Sequence, residues 1–88
     1  MITKYYIHDN DGRILKVLKE PAVIFDIITK EFLYIGEYDN MESLYWKKHK
    51  ELIAKNKTKA ANDIHLYSLD NQEQLNTIWK TGKVDFLQ

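Results

Sequence analysis

The apolar positions change their rhythm several times along this chain, and each change marks an element. Thr3 to His8 alternates weakly and is rich in Tyr and Ile, which predicts a strand. Asp9-Asn10-Asp11-Gly12 follows, residues that tolerate positive φ and close tight turns. Arg13 to Lys19 returns as a second strand, so the chain opens with a β-hairpin. From Ala22 to Tyr38 the sequence is almost continuously apolar. Pro21 and Gly36 stand where the first turn and the end of a helix want them. The composition favours strands: Val23, Ile24, Phe25, Ile27, Ile28, Phe32, Tyr34 and Ile35 are β-branched or aromatic. Thr29-Lys30-Glu31 then serves as a short polar connection, and the segment reads as a second hairpin.

Helical spacing takes over at Asn40, a good N-cap for a helix from Met41 to about Lys55. Met41, Leu44, Tyr45 and Leu52 share one stripe at 100° per residue, with Ile53 on its edge. Lys57 to Asp63 is polar and reads as a loop, and Ile64 to Leu69 as a short strand. Asp70 and Glu73 have the spacing of a capping box, opening a helix to about Thr81 that buries Leu75, Ile78 and Trp79. Gly82 ends it, and Val84 and Phe86 alternate as a last strand. The expected order is ββββ-α-β-α-β in a single small domain over residues 1–88. Its class is α+β, a mainly antiparallel sheet of about four to six strands with two helices packed on it.

Composition supports a folded chain. The 88 residues are 44% hydrophobic and 12% aromatic, too apolar for disorder. A chain of this length buries about 60 to 65% of its unfolded surface, so its stability margin is thin. Cysteine is absent, which removes disulfides and thiolate metal sites. Neither a signal-peptide pattern nor an apolar run of bilayer length is present, and the expected setting is cytoplasmic, with no membrane partner. The Lys-, Ile- and Asn-rich composition points to a low-GC bacterium or its mobile elements.

The formal charge is zero, yet unevenly spread. Residues 1–46 carry five basic and eight acidic side chains, residues 47–59 six Lys and one Glu, and residues 60–88 two Lys and four acids. Lys47, Lys48, Lys50 and Lys55, with Tyr45, Trp46 and His49 among them, are candidate nucleic-acid contacts, because lysines meet phosphates and aromatic rings stack on unpaired bases. The acidic remainder opposes that reading. So does the presence of 12 Lys and only Arg13 as arginine, since bidentate base and phosphate recognition is arginine chemistry.

Candidate chemistry is sparse. The only serines are Ser43 and Ser68. His65 and Ser68, three apart on a strand, project to opposite faces, which defeats a triad with Asp70. His8, His49 and His65 share no ligand spacing. The Asp9–Gly12 turn fails as a calcium loop, because Ile7 and Leu18 fall where ligands are required. Gly12, Gly36 and Gly82 are too far apart for a phosphate loop. No catalytic residue, metal ligand or cofactor is therefore assigned.

Asp26 is the anomalous carboxylate. Period two places it with Ile24 and Ile28 on an apolar face that a helix or a second subunit should cover. Trp79 reads as core, whereas Trp46 lies away from its helix's apolar stripe. The candidate interaction surface is Ile24, Asp26, Ile28, Tyr34 and Trp46. The expected function is a non-enzymatic protein-interaction module, a small accessory, regulatory or inhibitor protein. Its partner is another protein or a second copy in a homodimer, and weak nucleic-acid binding through the lysine helix is the alternative.

Overall fold

The structure is a computed structural model that describes residues 4–86. Five strands and three helices follow in the order ββββ-α-α-β-α, an antiparallel α+β arrangement as the sequence predicts. β1 (Tyr5–His8) and β2 (Ile14–Leu18) form the first hairpin, with Tyr5 opposite Leu18 and Ile7 opposite Lys16. Thr3, the expected start of β1, lies outside the described residues. The Asp9 carboxylate closes the turn by accepting from the Asp11 and Arg13 amides, both at 2.9 Å. Gly12 supplies the positive φ, +83°.

The apolar run from 22 to 38 is the second hairpin: β3 (Pro21–Asp26) against β4 (Phe32–Glu37). β5 (Ile64–Ser68) pairs with the other edge of β3, giving a separate three-stranded sheet in the order β4-β3-β5. The strands thus divide into two sheets rather than one. Every residue from Pro21 to Phe25 is buried. That explains the missing alternation, because a strand covered on both faces has no polar side to show.

Each face of β3 has its own cover. Val23, Phe25 and Ile35 meet Tyr5, Ile7 and Leu18 of the hairpin and Leu75 and Ile78 of a helix, forming the main core with Leu69 and Val84. On the opposite face, Ala22 and Ile24 are fully buried beneath α1 (Tyr38–Ala54), with Ile64 and Ala61 of α2 (Thr58–Asp63) beside them. The Met41 side chain of α1 sits over Gly36, its terminal methyl 3.2 Å from where a Cβ there would lie, so a side chain at 36 requires Met41 to shift.

Four local expectations need correcting. α1 begins at Tyr38, and Asn40 lies inside its first turn; the N-cap position is Glu37. β4 runs directly into the helix, and the Tyr38 amide is held by the Glu20 carbonyl at 2.7 Å, leaving no linker for Asn40 to cap. Residues 57–63 are largely helical rather than a loop: Asn56 turns the chain with φ +61°, and Ala60-Ala61 then favour a short helix whose Ala61 plugs the core. α3 (Gln72–Thr81) is capped by Asn71, one residue after Asp70; its side chain accepts from the Glu73 amide at 2.8 Å. Finally, Val84 and Phe86 form no strand. The segment makes one bridge, Lys83 with Glu31, and Val84 enters the core. Gly82 does end α3, with φ +75° and its amide on the Ile78 carbonyl at 2.8 Å.

Two side chains join the first hairpin to the rest. Gln72, in the first turn of α3, accepts from the Tyr6 amide at 2.9 Å and donates to the Tyr6 carbonyl at 2.8 Å. Its amide stands in for a neighbouring strand and closes the outer edge of β1. The Glu37 carboxylate accepts from the Lys19 and Glu20 amides at 2.6 and 3.0 Å, fixing the β2–β3 corner. Gln72→Ala leaves both backbone groups of Tyr6 without their partner, in a partly buried position. It is expected to cost about 1–3 kcal/mol in urea denaturation, with faster hydrogen exchange at the Tyr6 amide. Unchanged stability and exchange would show that the clamp does not hold the hairpin.

Candidate protein-interaction surface

The hydrogen-bond phase of the strands decides which backbone groups are free. The Glu20–Tyr38 bond lies between β3 and β4, and a Leu69 amide to Pro21 carbonyl bond of 2.8 Å lies between β3 and the end of β5. Antiparallel ladders alternate. Even-numbered residues of β3 therefore bond to β4, and Gly36 and Tyr34 are spent on them. The amide and carbonyl of Ile35 turn toward the outer edge of β4, which has no strand beside it. In the first hairpin Tyr6 is turned outward to Gln72, so its opposite residue, Val17, is turned outward on β2. That edge also lacks a strand.

β2 exposes apolar side chains on both faces: Ile14 at 56%, Leu15 at 54% and Val17 at 49%. Its sequence explains this. Arg13-Ile14-Leu15-Lys16-Val17-Leu18-Lys19 alternates pairs of apolar residues with single basic ones, so no period-two face can bury them all. Only Leu18 reaches the core. Such an edge is a template for another strand.

The open edges of β2 and β4 border the same groove, about 370 Å³. Leu15 and Lys16 form one wall, Phe32 to Ile35 the other, with Ile7 and Trp79 completing it. Trp79 is therefore not core as its helix position implied. It is 41% exposed, because Leu75 and Ile78 take the inward face of α3; the indole lies beside Phe32, with ring centres 6.1 Å apart. A second apolar groove of about 350 Å³ lies on the other face of β4, between Leu33, Tyr34 and Ile24 and the α1 side chains Lys48 and Leu52. The β3–β4 bulge, which leaves Leu33 as an extra residue, lets Leu33 and Tyr34 line both grooves.

The residues singled out from the sequence do not form one surface. Ile24 is fully buried under α1, so the apolar face around Asp26 has its cover from within the chain. Asp26 ends β3 and closes the turn: its carboxylate accepts from the Ile28 and Thr29 amides at 2.7 and 3.1 Å. Ile28 is at the tip of that turn, 63% exposed, away from Ile24. Tyr34 lines the grooves, and Trp46 lies on the solvent side of α1, 61% exposed. The lysines are divided as well. Lys48 is half-buried toward the sheet, 3.9 Å from Glu51, while Lys47, Lys50 and Lys55 are exposed. At 100° per residue Lys47 and Lys50 point roughly 120° away from Lys48 and Lys55, so they make no single phosphate-binding stripe.

The titratable groups are dispersed. His8 packs beside Tyr6, His49 beside Tyr45 and Trp46, and His65 beside Phe25. His65 pairs with Phe25 and Ser68 with Ala22, so the two project to opposite faces. Among the described residues no three His, Asp or Glu side chains come together as a metal site, and no helix is long and apolar enough to cross a membrane. Tyr38 carries a pKa raised above its ordinary value by hydrogen bonding to Glu42, reinforced by that carboxylate's charge.

No protein-family model, curated protein or solved structure matches the chain. With the lysines split between two sides of α1, a labelled single-stranded oligonucleotide should show no saturable rise in fluorescence anisotropy at micromolar protein and low salt. Binding that weakens steeply with salt and disappears in Lys47→Glu/Lys50→Glu would restore the nucleic-acid reading.

Proposed function

We propose that this chain is a non-enzymatic protein-interaction module that takes an extended apolar segment of a partner protein into the groove between β2 and β4. The observation that carries the reading is the open edge of β2, with Ile14, Leu15 and Val17 each about half exposed beside an apolar groove. Strand addition would give the Val17 backbone groups the partners they lack, while Leu15, Leu33 and Trp79 receive alternate side chains of the incoming strand.

Charge selects the occupant. β2 is flanked and interrupted by Arg13, Lys16 and Lys19, and β4 is flanked by Glu31 and ends in Glu37. Antiparallel pairing of β2 with its own copy around Lys16 sets Arg13 against Lys19. Pairing of β4 with its copy around Tyr34 sets Glu31 against Glu37. Like charges directly opposite are destabilising, so in these registers neither edge suits itself. A segment alternating apolar and acidic residues, laid along β2, satisfies both the edge and its charges.

Panning a phage-displayed peptide library on the immobilised protein tests this. The expected enrichment is for apolar–acidic alternation. Against a synthetic peptide of an enriched sequence, Leu15→Glu and Val17→Pro should each weaken binding at least about tenfold. Proline at position 17 removes an outward-facing amide and leaves the β1–β2 bonds in place. Absence of enrichment, or peptides indifferent to both substitutions, would overturn the reading.

A further inference from the structure

α1 is a helix of 17 residues in which none is buried. Its inner stripe, Met41, Leu44 and Leu52, is half-covered by the sheet. A second stripe runs along its outer side. Glu42, Trp46, His49 and Ile53 follow at spacings of four, three and four, the rhythm of a coiled-coil seam. Trp46 is 61% and Ile53 41% exposed. The indole is not loose: Tyr45 and His49 rings stand against it at 5.2 and 5.8 Å, both edge-on. It is a preorganised aromatic anchor of the type that dominates interfaces.

We propose that this ridge is a homodimer interface, in which α1 packs antiparallel on α1 of a second copy about a two-fold axis between Trp46 and His49. The helix's own charge chooses both partner and direction. Its N-terminal half carries Asp39 and Glu42, and its C-terminal half and the residues beyond carry Lys47, Lys48, Lys50, Lys55 and Lys57 with Glu51 as their single acid. Parallel pairing sets acid against acid and lysine against lysine. Antiparallel pairing brings Asp39 and Glu42 of each copy beside Lys50 and Lys57 of the other, and stacks Trp46 on the second copy's His49. An interface with a two-fold axis must be complementary to itself, and a helix acidic at one end and basic at the other meets that condition. One helix pair lies at the small end of interface areas, so the dimer is weak, with a Kd on the order of micromolar. The β2–β4 groove takes no part.

Sedimentation equilibrium over a wide range of protein concentration reads the result. The native chain should pass from monomer to dimer, more tightly at low salt than at high salt. Trp46→Ala, at an exposed position that leaves the fold intact, should weaken dimerisation at least about tenfold. Asp39→Lys/Glu42→Lys and Lys50→Glu/Lys57→Glu should each weaken it, and the fourfold variant combining them should recover it. A monomer at all concentrations overturns the proposal. So does a dimer that ignores Trp46 and the charge reversals, or one lost on Val17→Pro. Trp46→Ala should leave peptide capture at the groove unchanged, so failure here and failure of the strand-addition reading are separate results.

Discussion

Burial of β3 on both faces is the constraint from which the rest of this molecule follows. Pro21 to Phe25 offers no polar side, so the strand must be roofed twice. Val23 and Phe25 require the first hairpin and α3; Ala22 and Ile24 require α1. Each buried aliphatic or aromatic side chain contributes roughly 1.5–3 kcal/mol relative to exposure.

The layers are held together by a few long-range polar contacts as well as by packing. Gln72 completes β1 from the side of a helix, and Glu37 anchors the β2–β3 corner from the end of β4. Gln72 acts at a partly buried strand edge and Glu37 at an exposed corner. No corresponding side chain serves the outer edges of β2 and β4 among the described residues. That asymmetry gives the groove its meaning: one edge of the hairpin is sealed within the chain, and the other is presented with its apolar side chains half exposed.

Much of the fold was legible because it is local. The Asp9–Gly12 turn, the Gly82 stop and the β-branched content of residues 22–38 each act within a few residues. What escaped the sequence is tertiary. Tyr38 enters the helix because Glu20 holds its amide, and Val84 is recruited to the core by a chain that forms no strand. The outer edge of β1 is sealed by Gln72, whose role no local pattern reveals. At the site, Tyr34 and Trp46 reached accessible surfaces, whereas Ile24 was roofed by α1 and Asp26 was spent on its own turn. The β2 edge carried a signal that passed unread: apolar pairs separated by single lysines cannot fit one face of a strand. Trp79 misled because helical position alone does not say how far a core extends.

Amide hydrogen exchange with and without a groove-binding peptide tests the central claim most directly. In the free protein the Tyr6 amide, held by Gln72, should exchange slowly and the Val17 amide fast, although the two residues face each other in one hairpin. On addition of peptide, Val17 and Ile35 should gain protection together, with α1 unaffected. A Val17 amide already protected in the free protein, or protection appearing along α1 in place of β2 and β4, would contradict the open-edge account.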